Sequence, residues 1–224
     1  MLGTLVNTLT VIIGSSAGLL LRRKVAKGRS DVVFHVVGLF TFYLGLQMAL
    51  KTANPVSLIL GLLVGTLVGE YLGLESLMEG GAERLKQKVG GDSDFVEGMM
   101  TAFLTFCIGP LTIVGSLRDG MGDPSIIMAK AVMDGFTSMA YASALGLGVL
   151  FSTVPLLMFQ GSLALIGSFI GTTLPEAMIS DLTGAGGIIL LGLALNLLNL
   201  KKIRVGNMLP SLITVPLISL ILPF

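Results

Sequence analysis

Eight long apolar segments restrict what this sequence can fold into. Each has about 17–25 residues, the length that a helix needs to cross a hydrocarbon core of about 30 Å. The segments are continuous apolar runs and lack the two-residue alternation of a transmembrane barrel. They lie near residues 2–21, 33–50, 55–74, 95–117, 126–150, 155–174, 184–200 and 205–222. The predicted fold class is therefore an all-α membrane protein with eight transmembrane helices.

Composition excludes several other classes of protein. Only 12% of the 224 residues are charged and 53% are hydrophobic, whereas a soluble domain has about 25% charged residues. We therefore expect the lipid bilayer to be a partner and do not expect a nucleic acid. Cys107 is the one cysteine and His35 the one histidine, which excludes an internal disulfide and the usual Cys or His metal motifs. We expect no metal and no cofactor.

The distribution of basic residues supports the count of eight. With alternating spans, one side of the bilayer receives eleven of the 14 Lys and Arg residues. These eleven are Arg22, Arg23, Lys24, Lys27, Arg29, Arg84, Lys86, Lys88, Lys201, Lys202 and Arg204. By the positive-inside rule this side is cytoplasmic. The sequence thus predicts a multi-pass membrane protein with both termini outside.

An internal repeat relates the two ends of the chain. A shift of 153 residues sets Ile13-Gly14-Ser15 on Ile166-Gly167-Ser168, and Gly18 and Leu21 on Gly171 and Leu174. It also pairs Asn7 with Gln160 and Asn54 with Asn207, and a shift of 147 matches 44–46 to 191–193. Spans 1–3 therefore resemble spans 6–8. Since five spans separate the partners, the copies have opposite orientations, as in many secondary transporters.

The repeat divides one membrane domain, 1–224, into four parts. Repeat one covers 1–74 and repeat two covers 154–224. Between them lie a polar cytoplasmic segment, 75–94, predicted to be a surface helix, and a central pair of spans, 95–150.

Two glycine ladders favour close contact between helices. Gly61, Gly65, Gly69 and Gly73 recur every four residues in span 3, and Gly14 and Gly18 do so in span 1. Small residues at this spacing let the backbones of membrane helices approach each other. The ladders favour a compact bundle or a dimer contact, and a homodimer suits a carrier of this size.

Span 4 contains a predicted break at Gly109-Pro110. Proline removes a backbone donor and clashes with the preceding turn, so the helix should kink or break there. The freed carbonyl groups need partners or a wet cavity at membrane depth. Thr112 and Ser116 supply hydroxyl groups nearby, either as structural partners of these carbonyls or as part of a binding site.

Ionisable and amide side chains within the spans are the other candidate site residues. Lys130 and Asp134 lie four residues apart in span 5 and so share one helical face. They form either an internal ion pair or a binding and coupling site. The amides Asn7, Gln160 and Asn207 could line a path, and Asp119 and Glu70 are further candidates for coupling carboxylates.

Motifs that would indicate an enzyme are weak or missing. Gly120-Met-Gly-Asp123 matches the motif of intramembrane aspartyl proteases, whose chemistry needs two carboxylates at one site. Asp123 precedes Pro124 in a predicted outer loop, however, and no span contains the Tyr-Asp partner of that motif. No Walker A motif is present, which excludes ATP-driven transport by this chain. We therefore do not expect an enzyme.

The central block resembles a known bacterial family. The matching stretches are GPLTIVGSLRDG (109–120), Lys130 with Asp134-Gly135, YASALGLG (141–148), Pro155 and Gln160-Gly161, together with GTLVN (3–7) and VGNMLP (205–210). They are similar to the YqgA/YdfK-like membrane proteins, a domain of unknown function. The resemblance implies a bacterial inner-membrane polytopic protein, commonly regarded as a candidate transporter, without an assigned substrate or catalytic residue.

These observations lead to two functional hypotheses. The first is a secondary transporter or channel-like carrier for a small polar solute or ion, whose site lies between the repeats at the break of span 4. The alternative is a membrane assembly or regulatory protein that does not transport and uses its glycine-rich helices for packing. The alternative predicts a dry interior in which Lys130 and Asp134 have no route to water.

Overall fold

The computed structural model describes residues 1–22, 30–170 and 175–222, which fold into helices without a β-strand among them. The helices are α1 (Leu2–Arg22), α2 (Ser30–Ala49), α3 (Pro55–Leu72), α4 (Leu74–Val89), α5 (Phe95–Cys107), α6 (Pro110–Gly120), α7 (Ser125–Leu145), α8 (Leu147–Phe151), α9 (Thr153–Ile170), α10 (Glu176–Leu197) and α11 (Ser211–Ile221). A 3-10 helix, Val205–Met208, precedes α11. Arg23, Lys24, Lys27, Arg29, Gly171 and Leu174, used in the sequence analysis, lie outside the described residues.

Four helical segments are long and apolar enough to cross a bilayer: Leu2–Arg22, Pro55–Leu72, Leu147–Phe169 and Met178–Leu197. A fifth candidate is a bent pair, Phe95–Cys107 with Leu111–Gly120, whose two helices meet at 66°. The bend confirms the predicted break at Gly109-Pro110. Two shorter apolar helices, His35–Ala49 and Val205–Ile221, add to these. The chain is therefore an all-helical protein with four to five candidate membrane spans.

Large apolar side chains cover the outward faces of the candidate spans. Leu67 on α3 is 70% exposed and Phe169 on α9 is 86% exposed. Polar side chains lie inside instead, and Asn7 and Gln160 have no exposed surface. This inverted distribution suits a hydrocarbon environment, in which exposed apolar groups have no cost and polar groups need internal partners.

The chain forms two compact units. The first comprises Met1–Val37, Glu79–Cys107 and Leu111–Thr173. The second comprises Gly38–Met78, Ile108–Pro110 and Leu174–Phe224.

In the first unit, α1 lies parallel to α7 at close backbone distance. Gly14 of α1 faces the carbonyl of Gly135, and Gly18, one turn later, faces the carbonyl of Met139. A Cβ atom at either glycine would overlap these backbone atoms. The predicted ladder of span 1 therefore packs within the chain.

In the second unit, α3 and α11 are antiparallel neighbours. Gly61, Gly65 and Gly69 face the backbone at Val215, Ser211 and Asn207 in turn, so the ladder of span 3 also packs within the chain. Gly73 differs from the other three glycines. Its φ of 63° forms the left-handed cap that ends α3, and an added Cβ atom there would meet nothing within 4 Å.

Two predicted span boundaries are wrong. The predicted span 126–150 ends at Leu145 because Gly146, with a φ of 78°, breaks the helix, and Leu147 begins the next segment. Span 7, predicted at 184–200, begins at Glu176 instead. Its first turns contain Asp181, a charged residue that hydropathy assigns to a loop but that the fold buries completely.

We expect Gly14→Ala to destabilise the protein, because its methyl group would overlap the Gly135 carbonyl and the Ser138 hydroxyl. Overpacking of this kind costs about 1–3 kcal/mol in the free energy of unfolding. Thermal unfolding of the purified protein in detergent measures the change. Gly80→Ala is the matched control: Gly80 lies within α4 with nothing within 4 Å of an added Cβ atom. That control should be neutral or stabilising by about 0.5–1 kcal/mol, and equal effects of both variants would contradict the packing argument.

Candidate functional site

Lys130 and Asp134 form a buried ion pair on α7. Both residues are only 6% exposed, and the ammonium group of Lys130 donates to Oδ2 of Asp134 one helical turn away. Ionisable groups at such depth are costly, so they are retained when they are paired or functional. Lys130 and Asp134 share one helical face, as predicted, and they are paired.

Two amides from other helices complete this cluster. Asn7 on α1 donates through Nδ2 to Asp134 Oδ2 at 3.0 Å and to Gln160 Oε1 on α9 at 3.2 Å. The close approach of α1 to α7 brings Asn7 to the ion pair. We refer to Asn7, Lys130, Asp134 and Gln160 as the Lys130 cluster.

The Lys130 cluster has spare hydrogen-bonding capacity. Oδ1 of Asn7 and Nε2 of Gln160 are buried and have no partner among the described residues. The Nζ atom of Lys130 makes one hydrogen bond there, to Asp134, although an ammonium group has three donors. Because an unmet buried polar group costs about 1–3 kcal/mol, a cluster that served only for packing would be expected to satisfy these groups.

An aromatic wall from α5 and α7 borders the cluster. The Phe106 ring centroid lies 5.9 Å from Nζ of Lys130, within the range of a cation–π interaction. Phe106 stacks on Tyr141 with ring centroids 6.2 Å apart, and the Tyr141 hydroxyl lies 3.3 Å from that of Thr105. The side of the cluster that faces Phe106 is therefore apolar.

The break in span 4 supplies structural contacts. The Thr112 hydroxyl donates to the Phe106 carbonyl at 2.6 Å and so satisfies an acceptor that the end of α5 frees. Ser116 is buried and its hydroxyl has no partner among the described residues. Gly109 and Pro110 belong to the second unit, whereas Lys130 and Asp134 belong to the first.

Asp119 caps a helix. Its carboxylate accepts hydrogen bonds from the backbone N–H groups of Gly3 and Thr4, at 2.9 Å each, and from the Thr4 hydroxyl at 2.8 Å. These groups form the first turn of α1, whose positive dipole end also attracts a carboxylate. The geometry therefore gives Asp119 a role in holding α6 to α1.

Glu70 and Asn207 lie close together in the second unit. Glu70 pairs with Arg204 and accepts from Nδ2 of Asn207. Oδ1 of Asn207 accepts from the backbone N–H of Glu75 at 2.7 Å, at the start of α4. Half of the Glu70 side chain is exposed, so the pair with Arg204 is a surface contact.

Asp181 is a buried carboxylate that the sequence analysis did not identify. It is fully buried and accepts from the backbone N–H groups of Ala53 and Asn54, at 2.9 Å each, and from the Ser219 hydroxyl. It thus supports the start of α3 from α10. Asp181 lies just before the predicted span 184–200, in a stretch that hydropathy assigns to a loop. The mixed polar and apolar residues from Glu176 onward could have indicated that the helix begins earlier.

The protease-like motif ends at an exposed residue. Half of the Asp123 side chain is exposed, and hydrogen bonds from the hydroxyl and backbone N–H groups of Ser125 lower the pKa of Asp123. Such a carboxylate stays ionised and does not resemble the proton-sharing pair of an aspartyl protease. Within the described residues, no three His, Cys, Asp or Glu side chains converge as a metal site requires.

Removal of the Asp119 carboxylate should destabilise the protein rather than alter a binding site. We expect Asp119→Ala to lower the free energy of unfolding by about 1–3 kcal/mol, because Gly3 and Thr4 lose a buried acceptor. Glu79→Ala removes an exposed carboxylate from α4 and should change stability by no more than about 0.5 kcal/mol. Thermal unfolding compares the two variants. A melting temperature of Asp119→Ala equal to that of the parent would refute the capping role.

Comparison with known proteins identifies the family. Residues 2–220 match the model of the DUF554 family, described as proteins of unknown function. The chain is 30% identical to the uncharacterized membrane protein YdfK of Bacillus subtilis, over 99% of this chain and 97% of that protein. It is also 30% identical to the uncharacterized protein YqgA of Escherichia coli, over 95% and 93% of the two chains. No solved structure gives a significant match. The chain therefore belongs to the DUF554 family of membrane proteins.

Proposed function

We propose that this protein is a secondary transporter or channel-like carrier of a small polar solute or ion in the bacterial inner membrane. The observation that carries the proposal is the Lys130 cluster. It combines a buried ion pair with two buried amides, and its unmet donors and acceptor could be satisfied by a bound solute. The surrounding helices expose apolar side chains, which suit lipid, so the cluster is a polar site inside a membrane protein.

Unmet polar groups distinguish this proposal from a purely structural role. A helix bundle that only packs gains nothing from a buried amide nitrogen and a buried amide oxygen without partners, because each lowers stability. A solute or water that passes through the site would satisfy these groups transiently. Strong binding in one fixed state is not required of a carrier, which must also release its solute.

Two hydrogen bonds between residues that the repeat pairs support an inverted repeat. The repeat pairs Asn7 with Gln160, and these two side chains are hydrogen-bonded to each other. The hydroxyl of Thr214 donates to the carbonyl of Gly61, also 153 residues away, at 2.6 Å. Partners that touch each other in this way are expected where an in-plane two-fold axis passes between the copies.

The asparagines of the second pair make reciprocal contacts in the second unit. Asn54, at the start of α3, donates through Nδ2 to the carbonyl of Leu222 beyond the end of α11. Asn207, before the start of α11, contacts Glu70 and Glu75 near the end of α3. This head-to-tail exchange is what two copies of opposite orientation would produce.

Eight crossings with both termini outside remain part of the proposal. Besides the four to five candidate spans, α7 has 21 residues. Its two buried charges lower its hydropathy, although their pairing makes it compatible with a membrane interior. The shorter helices, α2 and the segment that includes α11, pack antiparallel to α10 and α3 in the second unit. If each of these segments crosses the bilayer, the total is the eight spans that the charge distribution predicts.

A ligand screen and an uptake assay test the proposed transport. We expect at least one member of a panel of small ions, amino acids, polyamines and carboxylates to raise the melting temperature of the purified protein. A ligand at about 100 times its Kd stabilises by about 2.7 kcal/mol. Net uptake of that solute into proteoliposomes should be lost in Asp134→Asn, since a neutral amide cannot exchange a proton or pair with a cation.

Folding and specificity need a matched control in this assay. Glu79→Gln removes an exposed carboxylate from α4 and should leave both binding and uptake unchanged. Gel filtration should show Asp134→Asn eluting as the parent does, because asparagine keeps hydrogen-bonding groups toward Asn7 and Lys130. Undiminished uptake by Asp134→Asn would remove Asp134 from the proposed site. A panel without any hit would favour the assembly or regulatory alternative.

Cysteine labelling tests the orientation. Replacement of Cys107 by serine, followed by Asp123→Cys or Glu79→Cys, gives two proteins with one exposed thiol each. An impermeant maleimide should label the Asp123→Cys protein in intact spheroplasts, and the Glu79→Cys protein only after lysis. Labelling of both sites from one side would contradict eight crossings with external termini.

A further inference from the structure

The unmet groups of the Lys130 cluster are of two kinds, and each kind points to a different occupant. Within the part of the chain that the structure describes, the donors without a partner are two N–H groups of Lys130, on α7, and the Nε2 group of Gln160, on α9. The acceptor is Oδ1 of Asn7, on α1. Spare donors around a cation suit an anion, whereas a spare acceptor suits an O–H or N–H group.

The spare acceptor lies beside the carboxylate that could supply such a group. Nδ2 of Asn7 already donates to Oδ2 of Asp134 at 3.0 Å. A protonated carboxylic acid and a primary amide form a ring of two hydrogen bonds, in which the acid O–H donates to the amide oxygen. Protonation of Asp134 at Oδ1 would therefore give the buried Oδ1 of Asn7 the partner that it lacks.

Charge balance links this proton to the anion. The Lys130 cluster holds one cation and one carboxylate, so its net charge is zero. An anion that entered alone would leave one buried negative charge without compensation, which is strongly disfavoured in an apolar interior. One proton on Asp134 restores neutrality and also releases Lys130 from its ion pair.

The polar and titratable groups near Asp134 come from four helices. Lys130 is on its own helix, Asn7 on α1 and Gln160 on α9. Cys107, at the end of α5, is close enough to interact electrostatically with Lys130 and Asp134. Among these groups Asp134 is the one carboxylate, and the two amides do not titrate.

We propose that the Lys130 cluster binds a small monovalent anion together with one proton. The proposal rests on the proposed transport function and names its substrate class. The proton from the medium binds to Asp134, which then donates to Oδ1 of Asn7. The anion accepts hydrogen bonds from Nζ of Lys130 and Nε2 of Gln160. Release of both to the other side restores the Lys130–Asp134 pair, so one anion and one proton cross together without net charge.

Anion-driven acidification tests this coupling. The purified full-length protein is reconstituted into liposomes that contain pyranine, with equal potassium on both sides and valinomycin to hold the membrane potential at zero. Inward gradients of chloride, nitrate or lactate are then applied. Chloride and nitrate are informative because their acids are fully ionised and do not permeate as neutral molecules. At least one of the three should acidify the lumen about tenfold faster than in protein-free liposomes, a difference of about 1.4 kcal/mol in barrier.

The wild-type stoichiometry needs no variant. Isotope or electrode measurement of anion entry, alongside the proton count from pyranine, should give one proton per anion. Anion entry without acidification, or a ratio well away from one, would overturn the proposal. Transport of only a cation or neutral solute in the wider screen would also overturn it, but would leave the proposed carrier function intact. No movement of any solute would count against both.

Two variants then separate the proton from the anion. Asp134→Asn mimics the protonated acid, so it should lose acidification while keeping exchange of internal for external anion. Lys130→Gln removes the proposed anion partner and should lose both activities. The controls Glu79→Gln and Lys88→Gln change exposed residues of α4 and should lose neither. If Asp134→Asn melts as the parent does but has lost exchange as well, Asp134 is not the proton site.

Discussion

Close backbone contact between α1 and α7 is the constraint on which the rest of the first unit depends. Gly14 faces the carbonyl of Gly135, and Gly18 faces that of Met139. Membrane helices gain little from apolar contact, because lipid chains are equally apolar, so such contacts stabilise through packing and hydrogen bonds. The glycines bring α1 close enough for Asn7 to reach Asp134. Without this approach the ion pair of α7 would have no amide partner from α1.

Two buried carboxylates, Asp119 and Asp181, are held by backbone N–H groups. Asp119 and Asp181 each accept two backbone N–H groups and a hydroxyl group from the start or vicinity of a helix. Such donors hold a carboxylate in one orientation and cannot move away without unwinding a turn. These two carboxylates are therefore suited to permanent structural roles. The fixed direction of the backbone donors, rather than burial, is the basis for assigning Asp119 and Asp181 this role.

The sequence predicted the helical class, the break in span 4 and the pairing of Lys130 with Asp134, because each depends on local chemistry. Hydropathy identifies apolar runs, proline excludes a straight helix, and a spacing of four residues sets one helical face. The roles of Asp119 and Asp181 could not be predicted in this way. Their backbone N–H donors lie more than 100 residues away in the sequence, and no local pattern predicts such contacts. The end of α7 at Gly146 was not predicted, because a glycine within an apolar run is equally typical of close helix packing and of a helix end.

The Lys130 cluster differs from the two caps in the mobility of its donors. Asp134 is held by side chains, an ammonium group on a flexible stem and an amide that can donate or accept. Both partners can rearrange without breaking backbone hydrogen bonds, so Asp134 can lose its charge without unwinding a helix when an anion compensates Lys130. A site that must alternate between two protonation states requires this property, and a cap built from backbone N–H groups lacks it. The difference in donors, more than burial or depth, is what makes Asp134 the carboxylate suited to coupling.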